Sequence, residues 1–219
     1  MKARLLLDKM VRSHSEFYTD AFWSALDGRL QWARMTAVLE LACGPGLFAL
    51  ELMRRHEVSR YALTDESRAM LRYARRHRRG SSSTTIVSCR RVDFDANDWG
   101  MPDQDFDLVF VGMAFRNARN PVQLLRQAHR LLRQGGAFVS FDFERVSMDM
   151  FRGCWERYAG TPSSDEVVAD RYENFCRYTR DDIEVMLRDA GYVDASTDSV
   201  AHALPMILSS GRKTAAASG

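Results

Sequence analysis

The stretch of this sequence best suited to hold a small ligand is a glycine turn between an apolar run and a helical pattern. Residues 38–49 read VLELACGPGLFA, with Gly44 and Gly46 on either side of Pro45. Glycine lets the backbone approach a ligand that a side chain would keep away, and the amino end of a following helix attracts negative charge. The same residues satisfy the dinucleotide pattern GxGxxG/A. The glycines alone therefore leave the ligand class open, and a purely structural turn stays an alternative.

Two acidic residues narrow the ligand class. Asp65 ends the next predicted strand about 20 residues after the turn, where an acidic side chain meets the ribose hydroxyls of a bound cofactor. That spacing serves NAD and S-adenosylmethionine equally. Glu40 precedes the turn and favours S-adenosylmethionine, because this cofactor carries an ammonium and a carboxylate in place of phosphates. The absence of lysine between Lys9 and Lys213 excludes the tyrosine–lysine proton relay of short-chain reductases.

Alternating strands and helices must position these residues. Short β-rich runs alternate with helical patterns from about Thr36 to Phe143, which predicts repeated βα units. The predicted strands are Ala37–Leu41, Arg60–Thr64, Thr85–Arg90, Phe106–Val111 and Ala137–Phe141, with two more near Tyr192–Val200 and Pro205–Ser209. The predicted helices between them are Leu47–Arg55, Ser67–Arg76 and Pro121–Leu132, the last stopped by Gly135 and Gly136. The fold class is therefore α/β, a Rossmann-like, doubly wound, seven-stranded and mostly parallel sheet with a helical, aromatic-rich insertion after the fifth strand.

We expect one domain, because 219 residues suffice for one sizeable α/β core. Residues 1–35 are predicted to form lid helices, 36–144 the cofactor-binding core, 145–178 an insertion that covers the substrate, and 179–213 a helix and the last strands. Thr179 and Asp182 indicate a capped helix start and Gly191 the end of that helix. Residues 214–219 are typical of a frayed tail.

The composition argues against several other classes. Hydrophobic residues make up 46% and charged residues 27% of the chain, and no apolar run approaches the roughly 20 residues of a membrane span. The four cysteines and five histidines lack disulfide or zinc spacing, so no metal site is expected. The basic run at residues 72–79 ends a predicted helix and, with a net charge of only +2, indicates no nucleic acid partner. We expect a cytoplasmic protein without stable membrane insertion, and the sequence leaves a homodimer open.

A family resemblance becomes specific in residues 106–144. This segment contains Phe106-Asp107, Phe115-Arg116-Asn117 and the run 130–136, and it resembles the same region of the ubiquinone and menaquinone biosynthesis C-methyltransferases. Residues 65–74, DESRAMLRYA, resemble that family's second motif. The similarity covers roughly residues 38–144 and is weaker near 178–213, while the amino-terminal part and the insertion depart from the family. The resemblance implies a class I methyltransferase that uses S-adenosyl-L-methionine and releases S-adenosyl-L-homocysteine.

The resemblance also implies roles for single residues around the cofactor. The implied set comprises Gly44, Pro45 and Gly46 along the methionine part, Asp65 at the ribose with Glu66 and Met70 from the same segment, Asp93 and Phe94 beside the adenine, and Gly112 under the sulfonium. Glu40 would orient the loop or meet the ammonium through water.

Two further positions at the cofactor carry their own expectations. Ala42 stands where the broader family has its first glycine, and we expect a negative φ there that accommodates the methyl group. Tyr18 lies on a helix predicted over Ser15–Leu26, which in the wider superfamily folds over the cofactor. It would donate a hydrogen bond to the cofactor carboxylate, although its ring could equally serve only to dock the helix.

The acceptor side is predicted from aromatic and ionisable residues. Methyl transfer from a sulfonium is an in-line displacement, so positioning is the main task and a base is needed only if the acceptor loses a proton. Asp142 is the first candidate for that base and His14 the second, although Asp142 could instead pair with Arg116 or Arg145. The candidates for the acceptor pocket are Trp23, Phe115, Arg116, Phe143, Trp155, Tyr158 and Tyr172. The insertion aromatics could instead build a small core of their own.

Together these patterns favour S-adenosylmethionine-dependent methyl transfer to a small aromatic or heteroaromatic metabolite. The first alternative is a lipid-quinone C-methyltransferase. The second is a cofactor-binding module that does not methylate, or an NAD-binding protein.

Overall fold

A computed structural model describes residues 2–77 and 84–214, which form eight α-helices and seven strands. The helices are α1 (Lys2–Phe17), α2 (Asp20–Arg29), α3 (Leu47–Arg55), α4 (Arg68–His77), α5 (Pro121–Leu131), α6 (Met148–Ala159), α7 (Asp165–Phe175) and α8 (Arg180–Asp189). The strands are β1 (Ala37–Leu41), β2 (Arg60–Asp65), β3 (Ile86–Arg91), β4 (Phe106–Gly112), β5 (Leu132–Phe143), β6 (Val193–Val200) and β7 (Met206–Arg212). Residues 78–83, with the last two residues of the basic run, and nearly all of the predicted tail, residues 215–219, lie outside the described residues. None of the described helices is long and apolar enough to cross a membrane.

All seven strands join one sheet in the order β3-β2-β1-β4-β5-β7-β6. Neighbouring strands from β3 to β5 pair in parallel, whereas β7 is antiparallel to both β5 and β6. The strand order reverses beside β1, and ligands bind at such a switch point in open α/β sheets. The predicted seven-stranded, mostly parallel α/β sheet is confirmed.

Helices cover both faces of the sheet and bury its central strands. Every residue of β1 is buried, as expected for a parallel strand packed on two sides. On one face Phe22 of α2 and Phe48 of α3 are in the core, and on the other Leu125 of α5 and Leu187 of α8. The carboxyl ends of β1, β2 and β4 therefore meet at one edge of the sheet, below the amino-terminal helices.

The amino-terminal region contains two helices where the sequence predicted one helix over Ser15–Leu26. The helix α1 ends at Phe17, and Thr19 caps α2 by accepting a hydrogen bond from the Phe22 amide at 3.4 Å. Threonine at such a position ends one helix and starts another, because its side chain replaces a helical partner of the backbone. Tyr18 consequently lies in the bend between α1 and α2.

The stretch after α5 is the second departure from the predicted elements. The helix α5 begins at Pro121, as predicted, and Asn120 caps its start. The helix ends at Leu131, and β5 begins at Leu132, five residues before the predicted Ala137. Lys213 stabilises this early end, because its Nζ donates to the carbonyls of His129 and Leu132, each at 2.9 Å.

The insertion after β5 folds into the helices α6 and α7. Ser147 and Ser164 cap their starts. Between them Phe151, Val168 and Cys176 form a separate small core. The predicted capping box of Thr179 and Asp182 is present at α8 and is confirmed.

Candidate active site

A cavity of about 730 Å³ lies at the carboxyl ends of β1, β2 and β4. The loops after these strands and after β3 form its floor and walls, and α1 lines it from above. The predicted residues that line it are His14, Tyr18, Glu40, Ala42, Gly44, Pro45, Asp65, Glu66, Met70, Asp93, Phe94, Gly112 and Arg116. The structure thus brings most of the predicted cofactor residues into one cavity.

The glycine turn is fixed by hydrogen bonds to its neighbour β2. The Gly44 amide donates to Asp65 Oδ2 at 2.8 Å, and the Cys43 amide donates to the Thr64 carbonyl at 2.8 Å. The other carboxylate oxygen of Asp65 accepts the Ser67 amide at 2.7 Å. Asp65 therefore joins the loops after β1 and β2, and it lines the cavity itself.

Gly46 serves packing and not the cavity wall. It caps the start of α3 with φ +76°, and an added Cβ would lie 3.0 Å from the Cβ of Ala74 on α4. It is not among the described residues that line the cavity. The prediction that Gly46 lines the methionine part is therefore corrected, since its role is to let α3 and α4 approach each other.

Ala42 contradicts the expected backbone conformation. Its φ is +51°, in the left-handed region that favours glycine, whereas a negative φ was expected. A non-glycine residue in that region costs roughly 1–2 kcal/mol, so the tight turn into the cavity holds Ala42 in a strained conformation. Ala42 does line the cavity, as predicted.

Glu40 places a buried carboxyl at the cavity. It is 4% exposed, and Tyr61 donates its hydroxyl to Oε2 at 2.9 Å. Burial raises the pKa of Glu40 to about 8, with Asp65 adding to the effect and the Tyr61 hydrogen bond opposing it. Burial also raises the pKa of Asp65, against the two amides that donate to it. A nearby cation would relieve both carboxyls, so this end of the cavity suits a positively charged ligand.

Tyr18 lies on the end of β4. Its ring packs near Phe22, Phe48 and Phe141, with centroids 4.9, 5.5 and 5.7 Å away. Its hydroxyl lies 2.1 Å from the point where a Cβ on Gly112 would stand. Gly112 is therefore required here, because any side chain would collide with Tyr18.

Asp142, the first candidate for a base, is engaged elsewhere. It is 3% exposed and is not among the described residues that line the cavity. Its carboxylate accepts Nη1 of Arg116 at 2.5 Å and the amides of Arg116 and Phe143 at 3.0 and 2.9 Å. The geometry argues against Asp142 as the base, because its lone pairs already hold three donors and it does not reach the cavity.

His14 is better placed to accept a proton. It lines the cavity from α1, and its Nε2 lies 3.2 Å from Glu51 Oε2. Burial lowers the pKa of His14 below its usual value, against the opposing effect of Glu51. An imidazole that is neutral near pH 7 can accept a proton, so His14 stays a predicted base.

The structure does not bring most of the predicted acceptor wall to the cavity. Trp23, Phe115, Phe143, Trp155, Tyr158 and Tyr172 are not among the described residues that line it. Trp23 stacks on Phe48 under Arg55, and Phe115 is fully buried in the core. These predictions are corrected, because large apolar rings gain more from the core than from an open site.

The remaining acceptor candidates pack within or beside the insertion. Phe143 stacks on Phe175 at 4.5 Å, and Trp155 lies within 6.3 Å of both Phe151 and Phe175. Tyr172 donates to the Val146 carbonyl at 2.7 Å, and Tyr158 donates to Glu16 of α1 at 2.8 Å. The alternative reading of the insertion, a small aromatic core of its own, describes this region better.

Sequence reasoning predicted lid helices over residues 1–35 and named His14, but it missed the other α1 residues that line the cavity. Met10, Ser13 and Phe17 line it beside His14. Their spacing of three to four residues is the period of one helix face, so the signal was present in the sequence. Met113 and Asn117, next to predicted residues, complete the wall near β4.

The part of the chain that forms most of this cavity resembles known proteins in sequence. Residues 39–140 match a family described as a methyltransferase domain. The chain is 25% identical over 170 residues to the ubiquinone/menaquinone biosynthesis C-methyltransferase UbiE of Enterobacter sp. (strain 638), a match that covers 72% of this chain and 66% of that protein. The match thus spans about two thirds of the length of this relative.

Solved structures share the fold at lower identity. A SAM dependent methyltransferase from Aquifex aeolicus superposes with a TM-score of 0.66 at 17% identity, covering 91% of this chain and 92% of that one. An S-adenosylmethionine dependent methyltransferase from Mesorhizobium loti has the same TM-score at 19% identity, covering 90% of this chain and 100% of that one. At these identities the likeness shows the shared fold alone.

Proposed function

We propose that the chain is a class I S-adenosylmethionine-dependent methyltransferase, as its matched domain and its relatives support, and that it methylates a small aromatic or heteroaromatic metabolite in the cavity at β1, β2 and β4. The observation that carries the proposal is the meeting of Glu40, the Gly44 turn and Asp65 around one cavity. A cationic cofactor fits there, since two buried carboxyls lie beside a turn that carries no bulky side chain.

We assign the cofactor contacts to residues that line the cavity. Gly44 and Pro45 would hold the methionine part, Asp65 the ribose, and Asp93 with Phe94 the adenine. Asp65 supports this role because two backbone amides fix its carboxylate in place. Glu40 would meet the ammonium, whose positive charge favours the ionised carboxylate.

When bound, the cofactor supplies a methyl group on a positively charged sulfur. The chain itself would hold the acceptor in line with that group and exclude water, which in favourable cases lowers a barrier by roughly 7–11 kcal/mol. His14 is the side chain that we expect to take a proton from an acceptor that must lose one. Met113, Arg116 and Asn117 would contact the acceptor beside Gly112, since all three line the cavity there.

A lipid quinone is the second candidate acceptor, favoured by the 25% identity to UbiE. A quinone head group and a small phenol present the same flat ring to the site, and they differ in the apolar tail. An enzyme for a tailless acceptor would lack the apolar channel that binds the tail of a quinone. We expect that difference in the insertion, where the resemblance in sequence to the family ends. We keep the cytoplasmic location and the homodimer as predictions.

Calorimetry and turnover test the proposal in two steps. S-adenosylmethionine and S-adenosylhomocysteine should bind and NAD should not. Asp65→Ala should lower the affinity for both ligands roughly 100-fold. The substitution removes the carboxylate that would bind the ribose and that accepts hydrogen bonds from two backbone amides. The matched control is Asp165→Ala on the insertion, whose side chain is 93% exposed and which should bind like the wild type.

Turnover of cofactor labelled in the methyl group is then measured with phenols, nitrogen heterocycles, and quinols with and without an isoprenoid tail. Label transfer to a tailless ring supports the proposal, and transfer only to tailed quinols supports the second candidate. Binding of NAD without binding of S-adenosylmethionine would overturn the assignment of the cofactor. Cofactor binding without label transfer to any acceptor would indicate a module that does not methylate.

A further inference from the structure

A hydrogen bond between His14 and Glu51 connects α1 to α3 beside the cavity. Nε2 of His14 lies 3.2 Å from Oε2 of Glu51. An ionised carboxylate accepts hydrogen bonds and donates none, so Nε2 carries the proton of the neutral ring. The lone pair of the imidazole is then on Nδ1. Glu51 therefore determines which ring nitrogen of His14 is able to accept a proton.

Nδ1 of His14 is the ring nitrogen that a ligand in the cavity can reach. It forms no hydrogen bond with any of the described residues, and it is not among their buried polar atoms that lack a partner. Nδ1 is therefore open to solvent, and His14 lines the cavity. The His14 ring lies 4.6 Å from the ring of Tyr18, whose hydroxyl stands over Gly112 at the end of β4. This is the side of the cavity where we expect the acceptor.

An ion pair on the other side of Glu51 holds its carboxylate in place. Nε and Nη2 of Arg55 donate to Oε1 of Glu51 at 3.1 and 2.8 Å. The Arg55 guanidinium in turn lies 4.6 Å from the ring of Trp23. Each oxygen of Glu51 thus has its own partner, Arg55 on one and His14 on the other. A histidine that is oriented by a carboxylate is a recurrent arrangement for removing a proton in enzymes.

The groups around His14 suit a base that works near neutral pH. Burial lowers the pKa of His14, and the hydrogen bond and the charge of Glu51 act against burial. Arg55 lies behind Glu51, and Asp20 of α2 is 4.0 Å from Arg55. Burial raises the pKa of Tyr18, which therefore presents a neutral phenol to the His14 ring. Burial keeps the imidazole neutral before the reaction, and Glu51 stabilises the imidazolium that forms.

We propose that Glu51 is a positioning residue, which holds His14 in the tautomer that accepts a proton from the methyl acceptor at Nδ1. The inference rests on the proposed function and narrows its acceptor to groups that lose a proton, such as phenols. The acceptor forms a bond to the methyl carbon with its own electron pair and leaves the pair of the broken sulfur–carbon bond on sulfur. Its proton passes to Nδ1, and water then takes that proton from the imidazolium.

Nitrogen NMR of the full chain tests the tautomer without cofactor or acceptor. In the wild type we expect the proton on Nε2, and His14→Gln identifies the His14 resonances among those of five histidines. In Glu51→Gln the Arg55 donors should bind the amide oxygen, so that the amide nitrogen faces His14 and donates to Nε2. The proton of His14 should then move to Nδ1. The pKa of His14 should also fall, because a charge that favours the imidazolium is gone.

Glu57→Gln is the matched control, because Glu57 is an exposed carboxyl just beyond the end of α3. It should leave the tautomer and the pKa of His14 unchanged. Neither Glu51 nor Glu57 is among the described residues that line the cavity. Calorimetry should therefore give both variants an affinity for S-adenosylhomocysteine within about twofold of the wild type. Thermal melts check that both variants fold.

Turnover with two probe acceptors measures what the tautomer does. A phenol loses a proton when it is methylated, whereas the ring nitrogen of pyridine has none to lose. Glu51→Gln should lower kcat for the phenol roughly tenfold to 100-fold and leave any transfer to pyridine unchanged. In the wild type the rise of kcat/KM with pH for the phenol should follow the pKa of His14 that NMR measures.

The outcomes separate this inference from the proposed function. A wild-type His14 with its proton on Nδ1, or wild-type phenol turnover in Glu51→Gln, overturns the role of Glu51 while methyl transfer stands. Equal losses for phenol and pyridine indicate a purely structural role and overturn it as well, and so does transfer to pyridine alone. A wild-type chain that transfers label to no acceptor removes the proposed function, and this inference with it.

Discussion

The turn between β1 and α3 and the insertion between β5 and α8 use their residues in opposite ways. At the turn the backbone bends sharply, and Ala42, Gly44 and Pro45 all face the cavity. In the insertion the aromatic side chains face one another, and Phe151 is fully buried in a separate core. The difference indicates that backbone shape and a few carboxyls form the turn side of the cavity, while the aromatic side chains of the insertion stabilise its own core.

Arg116 is one residue through which the insertion contacts the wall of the cavity. The Arg116 guanidinium lies over the rings of Phe143 and Phe175, at 5.1 and 5.7 Å, and Arg116 itself lines the cavity. The insertion therefore fixes the orientation of a cation in the wall. Variants in the two regions should separate folding from cofactor binding.

The largest effect is expected in the insertion core. Phe151→Ala should lower the free energy of unfolding by about 4 kcal/mol, because it empties a fully buried site. Cofactor affinity of the folded protein should stay within about twofold of the wild type. Chemical denaturation and calorimetry measure the two quantities, and Met150→Ala, a neighbour that is 57% exposed, is the control with little effect on either. A loss of cofactor affinity in folded Phe151→Ala would contradict the conclusion that the insertion core contributes to stability alone.

The next effect concerns Asp142 and Arg116, between the two regions. Asp142→Asn should cost about 3 kcal/mol of unfolding free energy, because it leaves the Arg116 charge without its buried partner. Asp165→Asn removes an exposed pair with Arg152 and should cost less than about 0.5 kcal/mol. Urea titration measures the free energy of unfolding of both variants. Turnover of folded Asp142→Asn should persist, and its complete loss at saturating substrates would restore Asp142 as the base.

The smallest effect, counted per pH unit, is a pH dependence of stability at the turn. The unfolded chain releases the Glu40 proton near the usual value of 4.5, whereas the folded chain keeps it up to a pKa of about 8. Between these values the folded state binds more protons, so its stability falls as pH rises, by up to about 1.4 kcal/mol per pH unit. Glu40→Gln should lack this slope in denaturation from pH 5 to 8. If the free energy of unfolding depends on pH in the same way in the wild type and in Glu40→Gln, Glu40 is not a buried, protonated carboxyl.

Local signals in the sequence sufficed for much of the fold and for the cofactor half of the cavity. The bounds of β1 and α3 match the prediction, because an apolar run, a glycine turn and an amphipathic helix are each encoded by adjacent residues. Asp65 was placed by its spacing from the turn, which parallel βα units hold nearly constant.

The rest depended on contacts between distant residues. The end of α5 at Leu131 is stabilised by Lys213, some 80 residues further along the chain, and no local pattern reveals such a partner. The aromatic residues of the insertion looked alike whether they were to line a pocket or fill a core, because both require the same side chains. The positive φ of Ala42 was missed for the same kind of reason, since the strain is imposed by the packed turn.

The place of β7 in the sheet has a consequence for how the protein is made. Each of the strands β2 to β5 has a sheet neighbour that is synthesised before it, whereas β6 has no partner until residues 206–212 emerge and insert between it and β5. The nascent chain thus carries an incomplete sheet with an open β5 edge from the synthesis of β5 until that of β7. Completion of the sheet waits for β7, the last of its strands in the sequence.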